Sequence, residues 1–354
     1  MKLRTIFFCG HKSPYGLAHL EPILESDLEV IAVVVATDER WQHFWDALGG
    51  KIYYQPRSQQ RPWNNIKAFI KRKFPPSLLK LLKKSLPDIA FVSELTHRYQ
   101  IPVWQVSDAN EASFLQQVRA AKPDLILSAA YPQVFSKELI SISKKGSVNF
   151  HPSLLPKYRG AHPHFWAIVK GEKVSGMTAH FMTENLDDGD IVAQLEILIE
   201  HCTYAEFYQK LIQETPNLVK LVDQFFQNQD SVAIPQNLSE ASFFRNDREI
   251  HRRIFWELHT AIEIHNLCRT EQAFCFFRNV RIQCLKTKIQ STNRNLTNQV
   301  LVETGTIVDI DKDSLVVKAR DACIHIYQIE ENGELYLSYN WAKKYQIYIG
   351  EKLL

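Results

Sequence analysis

Residues 147–160 read SVNFHPSLLPKYRG, an apolar stretch of strand length that leads directly into a loop rich in polar side chains. Asn149 and His151 are two residues apart, so in a strand their side chains lie on the same face. Residues 186–190 read LDDGD, a turn that adds the carboxylate of Asp187 after another strand-like run. An amide, an imidazole and a carboxylate in one pocket can polarise a carbonyl group and relay a proton, which indicates acyl-transfer chemistry.

Around this stretch, β-rich apolar runs alternate with helical patterns through the first two hundred residues. This alternation predicts the βαβ units of a doubly wound, parallel α/β sheet. The predicted strands are 3–9, 30–36, 124–130, 147–150 and 177–182, and the predicted helices are 17–24, 112–121 and 205–227. Ligands of open parallel sheets bind beyond the carboxyl ends of the strands. Because His151 and Asp187 each follow a predicted strand, we expect them in one pocket there.

The remainder of the chain has a different pattern. Residues 228–240 are polar and contain Pro235, as in an interdomain linker. Apolar residues about one turn apart then predict a helix over 253–267, on which the core positions are Ile254, Leu258, Ile262 and Leu267. Short β runs follow at 280–284, 305–310, 315–318 and 323–329. We therefore predict a domain over 1–229, a linker over 230–245 and a small β-barrel domain over 246–354.

The bulk composition is that of an intracellular enzyme. A chain of 354 residues exceeds a typical single domain, and a net charge of +3 is too small to imply a partner. No stretch of about 18 apolar residues predicts a membrane span, and the apolar start has strand length without a signal-peptide cleavage site. The six cysteines form no CxxC pair, so we expect reduced core thiols, no metal site and a cytoplasmic location.

Residues 149–156, 158–160 and 186–191 together resemble the signature of the 10-formyltetrahydrofolate-dependent formyltransferases. Members of that family formylate methionyl-tRNA, glycinamide ribonucleotide and nucleotide-linked amino sugars. Residues 254–256 and 305–308 are similar to landmarks of the C-terminal domain in the tRNA and amino-sugar branches. The resemblance implies a Rossmann-like, mostly parallel sheet with a smaller OB-like C-terminal β-barrel. It also implies 10-formyltetrahydrofolate as the formyl donor, with no metal.

The resemblance assigns catalytic roles to three side chains. Transfer of a formyl group places negative charge on its oxygen, and the amide of Asn149 is a suitable donor for it. His151 would stabilise that charge or accept the proton of the amine, and Asp187 would hold its tautomer. An isolated histidine is usually a structural loop residue, but the context of Asn149 and Asp187 favours the catalytic interpretation of His151.

Two loops are implied to hold the donor, largely through backbone groups. They are represented by Tyr131, Gln133, Val134 and Phe135 in one loop and by Thr183 and Asn185 in the other. Core packing is an equally good interpretation of Val134 and Phe135. The predicted acceptor contacts are Ser153, Leu155, Tyr158, Arg159 and Gly160. His162 and His164 match no common metal-ligand spacing, so we expect a substrate-facing or helix-capping loop there.

The acceptor amine is not specified by these motifs. Residues 51–86 contain many lysines and arginines, interleaved aromatic residues and no acidic residue. Such a segment contacts nucleic acid, a nucleotide diphosphate or an anionic membrane surface, or it forms a solvated helical face, which is the commonest case. The glycine- and lysine-rich loop of the tRNA enzymes is absent. Residues 269–273 read RTEQA where an Asn-Pro-Trp-Pro type sequence is common in both branches.

The sequence therefore predicts an N-formyltransferase that acts on a primary amine, with a nucleotide-linked amino sugar ranked ahead of methionyl-tRNA. A formyltetrahydrofolate deformylase is disfavoured, because that family carries a regulatory domain before the catalytic one and here the first strand begins at Leu3. A non-catalytic folate- or nucleotide-binding protein is disfavoured because all three catalytic residue types are present. An exposed apolar surface on the C-terminal barrel is compatible with a homodimer.

Overall fold

A computed structural model of the protein describes residues 2–11, 13–37, 89–289 and 302–354. The basic segment 51–86, on which the prediction of the acceptor partly depends, lies outside the described residues. The described elements form one large mixed sheet flanked by helices and one antiparallel sheet in the C-terminal part. The strands of the large sheet are β1 (Arg4–Cys9), β2 (Glu29–Ala36), β3 (Val103–Val106), β4 (Leu125–Ala129), β5 (Ser147–His151), β7 (Val174–Phe181) and β8 (Ile191–Leu198).

Helices connect these strands and cover both faces of the sheet. They are α1 (Pro14–Ala18), α2 (Leu20–Glu25), α3 (Ile89–Arg98), α4 (Ala112–Ala121), α5 (Lys137–Ile140), α6 (Pro163–Val169) and α7 (Tyr204–Gln227). The side chains of β1 alternate between two hydrophobic clusters, with Phe7 in one and Phe8 in the other. A strand buried on both faces reads as a continuous apolar run, which is why these strands were visible in the sequence.

The large sheet has the strand order β3-β2-β1-β4-β5-β7-β8. Strand β5 is parallel to β4, whereas β7 is antiparallel to β5, with Asn149 opposite His180 and Val148 opposite Phe181. The predicted α/β fold with a mostly parallel sheet is confirmed. The expectation that Asp187 lies beyond the carboxyl end of a parallel strand is wrong, because β7 runs in the opposite direction and its loop must fold back to reach β5.

The C-terminal part is an antiparallel half-barrel sheet with a helix packed on it. Its elements are α8 (Ala261–Arg269), β10 (Phe274–Phe277), β11 (Val280–Ile289), β12 (Ile307–Ile310), β13 (Leu315–Lys318), β14 (Cys323–Glu331), β15 (Glu334–Leu337) and α9 (Ser338–Lys344). The strand order is β10-β11-β14-β13-β12, and β15 pairs with β14. This arrangement agrees with the predicted small β domain.

The predicted helix over 253–267 is shorter than expected. Helix α8 begins at Ala261, because the Thr260 side chain accepts from the backbone N–H of Glu263 while the Glu263 carboxylate accepts from that of Thr260. Ile254 and Leu267 are buried as predicted, but Leu258 is 62% exposed and Ile262 is 50% exposed. The apolar residues used for the prediction therefore lie partly in an irregular segment and partly in a helix, and only Ile254 and Leu267 among them belong to the core.

The segment between the two sheets is attached to the large sheet along its course. Strand β9 (Phe243–Phe244) pairs in parallel with β6 (Arg159–Gly160), which belongs to the loop after β5. The Phe244 ring stacks between Tyr158 and Trp166, with both centroid distances 5.1 Å. The domain division at 230–245 stays a prediction, and these contacts show that the segment is packed against the loop.

In the part of the chain that is described, no helix has the length and apolar character needed to cross a membrane. All six cysteines are buried and none forms a disulfide. Cys275 Sγ and Cys284 Sγ, in neighbouring strands, lie 3.9 Å apart.

Candidate active site

Strand β5 places Asn149 and His151 on one face of the large sheet. His151 is the last residue of the strand and is 4% exposed. Its neighbour across the ladder is Thr178, and that of Asn149 is His180. Because both strands alternate with a period of two residues, the four side chains share a face. The predicted pairing of an amide with an imidazole is therefore present in the structure.

Asp187 reaches this face through the loop between β7 and β8. Its backbone has a φ of 54°, in the left-handed region, which turns the chain back toward β5. Its Oδ2 accepts a hydrogen bond from the backbone N–H of Gly160 at 2.8 Å and lies 3.6 Å from His151 Nδ1. Its Oδ1 lies 3.5 Å from His180 Nε2. The structure thus brings the three predicted catalytic residues together and adds His180 to them.

The tautomer of His151 follows from its neighbours. The Nε2 atom lies 2.9 Å from the carbonyl oxygen of Tyr158, which can only accept, so Nε2 carries a proton and donates it. Burial lowers the pKa of His151, whereas the charge of Asp187 and the hydrogen bond to Tyr158 raise it. Burial has the larger effect, so the pKa lies below its usual value. Near neutral pH the ring is therefore uncharged, and Nδ1 presents a lone pair toward the carboxylate side.

Asp187 stays ionised in this environment. Burial alone would raise the pKa of its carboxyl group, but the positive charge that His151 or His180 gains on protonation, together with the hydrogen bond from the Gly160 N–H, lowers that pKa well below its usual range. A buried carboxylate 3.6 Å from Nδ1 favours the imidazolium form of His151 whenever a proton arrives there. The pair is thus arranged to accept one proton and to hold it.

His180 fixes the orientation of Asn149. His180 Nδ1 lies 2.8 Å from the carbonyl oxygen of Phe181 and therefore donates to it. In the neutral ring Nε2 is then an acceptor, and Asn149 Nδ2 lies 3.4 Å away as its donor. One N–H of the Asn149 amide is held by His180, and the second N–H is available to an oxygen bound in the pocket.

The predicted acceptor contacts lie mostly inside the protein. Ser153, Leu155 and Tyr158 are buried, and their contact with an acceptor stays a prediction. Ser153 Oγ donates to the carbonyl of Lys157 at 2.8 Å, and the Tyr158 hydroxyl donates to Glu172 at 2.7 Å. These hydrogen bonds occupy polar groups that an acceptor would otherwise need.

Arg159 and Gly160 connect the loop after β5 to the Asp187 turn. The Arg159 guanidinium donates to Gln236 Oε1, with the shorter distance 2.7 Å. Gln236 Nε2 in turn donates to the carbonyl oxygens of Asp187 and Gly189 at 3.0 and 2.7 Å. Gln236 therefore ties the predicted acceptor loop to the Asp187 turn. Sequence reasoning assigned Gln236 to the linker, and no local pattern marks it as part of the site.

The two predicted donor loops are close to each other. A salt bridge of 2.5 Å joins Lys137, directly after the first loop, to Glu184 in the second. The Tyr131 and Phe135 rings pack on Phe8 in the core, whereas the Val134 side chain is 73% exposed.

Side-chain hydrogen bonds hold the shape of both loops. Gln133 Oε1 accepts from the backbone of Ala109 at 2.7 Å, and Asn185 Nδ2 donates to Asp188 at 2.8 Å. Thr183 Oγ1 accepts from the backbone of Asn185 at 3.1 Å. Because these side chains are engaged within the loops, backbone groups and exposed apolar side chains are left to face a ligand. Val134 and the half-exposed Leu186 supply one apolar side chain from each loop, which fits a flat, partly apolar heterocycle.

His180 is the residue of the site that sequence reasoning missed. The signal was the spacing Thr178-x-His180, which places a second imidazole on one face of a strand. That signal acquires meaning only with the antiparallel register that sets His180 opposite Asn149. Among the described residues no group of three or more histidine, cysteine or acidic side chains is arranged to hold a metal ion.

Comparison with known proteins gives two family matches. The model of the family described as "Formyl transferase" matches residues 51–222, and that described as "Formyl transferase, C-terminal domain" matches residues 248–346. The methionyl-tRNA formyltransferase of Clostridioides difficile is 32% identical over 244 residues, covering 68% of this chain and 77% of the relative. The methionyl-tRNA formyltransferase of Acetivibrio thermocellus is 34% identical over 239 residues, covering 64% and 72%.

Solved structures show the same fold. The crystal structure of the N-formyltransferase from Helicobacter canadensis has a TM-score of 0.59 at 19% identity, covering 92% of this chain and 99% of that chain. The sugar 3N-formyl transferase WlaRD has a TM-score of 0.57 at 16% identity, covering 92% and 98%. A variant of HypX from Aquifex aeolicus has a TM-score of 0.52 at 15% identity, and this chain spans 49% of its length.

Proposed function

The chain belongs to the formyl transferase family, and from that premise we propose that its formyl acceptor is the α-amino group of methionyl-tRNA. It is an enzyme of the N-formyltransferase type, with 10-formyltetrahydrofolate as the donor. The donor supplies a formyl group on a nitrogen that can leave as an amine. The observation that carries the catalytic part of the proposal is the joint position of Asn149, His151 and Asp187 on one face of β5.

The choice of acceptor reverses the ranking inferred from the sequence, which favoured an amino sugar. The support is that relatives more than 30% identical over about two thirds of the chain are methionyl-tRNA formyltransferases. The two sugar N-formyltransferase structures described above are less than 20% identical to this chain, and their likeness concerns the fold alone. The lysines and arginines of residues 51–86, with no acidic residue among them, also suit a phosphate backbone.

In this proposal Asn149 stabilises the charge that develops on the formyl oxygen. The attacking amine converts the carbonyl carbon to a tetrahedral centre, and its oxygen then needs a fixed hydrogen-bond donor. The Asn149 amide has one N–H held by His180 Nε2 at 3.4 Å, which leaves the second N–H in a defined direction. Preorganisation of this kind avoids the cost of reorienting the donor during the reaction.

His151 and Asp187 move the proton that the amine loses as it attacks. His151 holds its Nε2 proton on the Tyr158 carbonyl, so only Nδ1 can accept a further proton. Asp187 Oδ2, 3.6 Å from Nδ1, stabilises the resulting imidazolium. Since both side chains are buried, the proton is retained in the site and can be returned to the departing nitrogen.

The test is an acceptor panel with purified protein and 10-formyltetrahydrofolate, in which release of tetrahydrofolate is followed. Methionyl-tRNA is compared with dTDP-, UDP- and GDP-linked amino sugars and with a buffer blank. The proposal predicts turnover with methionyl-tRNA alone. Turnover with an amino sugar but not with the tRNA would contradict the acceptor, and release of formate in the blank would indicate a deformylase.

The same assay tests the site. We expect the variants Asn149→Ala, His151→Ala and Asp187→Ala to lose most of the tetrahydrofolate release, by about a hundredfold or more in kcat. Substitution of an exposed residue remote from the pocket, Asn217→Ala, serves as the matched control. Catalytic turnover that survives in the three variants at the control level would contradict the assignment.

A further inference from the structure

A second histidine–carboxylate pair joins His162, on the loop that contacts Asp187, to Asp247, in the segment before the C-terminal sheet. His162 is two residues after Gly160, whose N–H binds the Asp187 carboxylate. The His162 Nδ1 atom is hydrogen-bonded to Asp247 Oδ1. The His162 side chain is 41% exposed, whereas that of Asp247 is 1% exposed. A partly exposed imidazole is thus held by a buried carboxylate, and this pair is separate from the cluster of Asn149, His151, Asp187 and His180.

Arg252 binds the second carboxylate oxygen of Asp247. Its guanidinium Nε donates to Asp247 Oδ2 at 2.7 Å, so each carboxylate oxygen of Asp247 has its own partner. Burial would raise the pKa of Asp247, but the His162 hydrogen bond and the Arg252 charge lower it to about 2. The carboxylate is therefore ionised, and His162 Nδ1 carries the proton that it donates. No described residue is hydrogen-bonded to Nε2, the nitrogen that carries the lone pair when the ring is neutral.

The pair and the catalytic cluster are neighbours. His164, on α6, has its ring centroid 6.2 Å from that of His162. Burial, and charges on His162 and on His151, lower the pKa of His164 to about 3 although Asp247 opposes this. His164 is therefore in contact range of His162, and its pKa also responds to a charge on His151. His164 itself stays neutral, with Nε2 hydrogen-bonded to the Tyr204 hydroxyl at 2.7 Å.

The reaction of an amine has to dispose of two protons. An α-amino group has an ordinary pKa of about 8, so it arrives largely as ammonium and cannot attack in that form. It must lose one proton to become a nucleophile and a second after the new bond from nitrogen to the formyl carbon has formed. When the bond from the formyl carbon to the donor nitrogen breaks, that nitrogen takes one proton, and the other leaves to solvent. Two bases in different environments suit these two proton transfers.

We propose that His162, held by Asp247 and Arg252, is the base that takes the first proton from the acceptor's ammonium group and passes it to water. Its side chain is 41% exposed and so has access to solvent, which the buried His151 lacks. His151 and Asp187 then handle the second proton, which has to stay in the site. Asp247 and Arg252 are positioning residues that fix the tautomer of His162. This inference rests on the proposed function, because it needs an amine acceptor.

The test is the pH dependence of kcat/KM for formyl transfer in the full-length enzyme, between about pH 6 and about pH 8.5. The variants are His162→Ala and His162→Gln, since glutamine can keep the hydrogen bond to Asp247 and the shape of the loop. We expect a loss of about a hundredfold near pH 6 that shrinks as the pH rises and solvent supplies the neutral amine. Added imidazole should restore activity to His162→Ala at low pH. His97→Ala, at an exposed histidine on α3, is the matched control.

A purely structural role predicts a different result. The charged and titratable groups that face His162 are Asp247, Arg252 and His164, with Tyr204 behind His164, and none of them replaces its free Nε2. If His162→Gln loses the same factor at every pH, or loses nothing, the inference is overturned. A wild-type enzyme that formylates no amine overturns the proposed function and this inference together, whereas active wild-type protein with an unchanged profile in the variants overturns this inference alone.

Discussion

At the scale of single residues, the site depends on which nitrogen of each histidine carries the proton. The carbonyl of Tyr158 fixes His151 and that of Phe181 fixes His180, because a carbonyl oxygen can only accept. The two rings therefore present different atoms to the pocket, with Nδ1 of His151 toward Asp187 and Nε2 of His180 toward Asn149. Under the proposed mechanism, backbone groups of the loop and of β7 therefore determine which side chain accepts a proton and which donates to an oxygen.

The first prediction concerns this fixed amide. We expect His180→Ala to lower kcat by about tenfold, because Asn149 keeps its donor but loses the partner that orients it. Asn149→Ala should cost more, about 10²- to 10³-fold, since it removes an oxyanion donor outright. In the double variant the loss should be close to that of Asn149→Ala, which steady-state kinetics would show. Additive losses would mean that His180 acts independently of Asn149.

The second prediction concerns the ionisation of Asp187. Its pKa in the folded protein lies below that of the unfolded chain, so ionised Asp187 contributes stability at pH values above about 4. That contribution is lost as the pH falls below the unfolded value toward the folded one. Denaturant titrations should therefore show a difference in unfolding free energy between wild type and Asp187→Asn that narrows as the pH is lowered from about 6 to about 3.

The control for this experiment is in the same turn. Asp190→Asn removes an exposed carboxylate three residues after Asp187 in the chain. We expect its effect on the unfolding free energy to be small and to change little over the same pH range. If the difference in unfolding free energy between wild type and Asp187→Asn grew as the pH was lowered, the sign of the pKa shift would be contradicted.

At the scale of elements, local sequence patterns predict where the strands lie. They do not predict strand direction or cross-strand neighbours, which depend on how the strands pair. The predicted run 124–130 contains β4, and the predicted helix 112–121 coincides with α4, since apolar runs and amphipathic spacing are local properties. The direction of β7 is set by its ladder with β5, in which Val148 lies opposite Phe181. Such a contact joins residues far apart in sequence. Local patterns therefore predict neither the antiparallel direction of β7, which determines how Asp187 reaches the site, nor the position of His180 opposite Asn149.

The start of α8 is set by a local signal in the sequence. Thr260 and Glu263 have the spacing of a capping box, which the apolar periodicity obscured. We predict that Thr260→Ala lowers the free energy of unfolding by about 1 kcal/mol, because it leaves the backbone N–H of Glu263 without its acceptor. Thr260→Ser, which keeps the hydroxyl group, is the matched control. Thermal or denaturant unfolding measures both, and equal destabilisation by the two changes would contradict the capping role.

At the scale of the whole molecule, the segment before the C-terminal sheet belongs to the architecture of the site. It supplies Gln236 to the Asp187 turn, Phe244 to the Tyr158 loop and Asp247 to His162. The composition of residues 228–240 predicted only a polar connection, because hydrogen bonds to distant carbonyl groups leave no trace in local composition. Substitutions in this segment should therefore affect catalysis although the segment is outside β5 and its loop.

The last prediction uses two adjacent aromatic residues of β9. Phe244 stacks between Tyr158 and Trp166, whereas the neighbouring Phe243 is 57% exposed. We expect Phe244→Ala to lower the free energy of unfolding by about 1 to 3 kcal/mol, through two lost aromatic contacts and lost burial. Phe243→Ala should change it by less than about 1 kcal/mol, as is usual at exposed positions.

Phe244→Ala should also affect the active site, through the backbone of β9 and β6. Strand β9 pairs with β6, and the N–H of Gly160 in β6 donates to the Asp187 carboxylate. A β9 strand loosened by Phe244→Ala leaves that N–H less well placed, so kcat for formyl transfer should fall in parallel with stability. Rate measurements well below the unfolding temperature separate the two effects, because the unfolded fraction is then negligible. A Phe244→Ala enzyme that is destabilised yet retains the wild-type kcat would show that the segment supports the fold without contributing to catalysis.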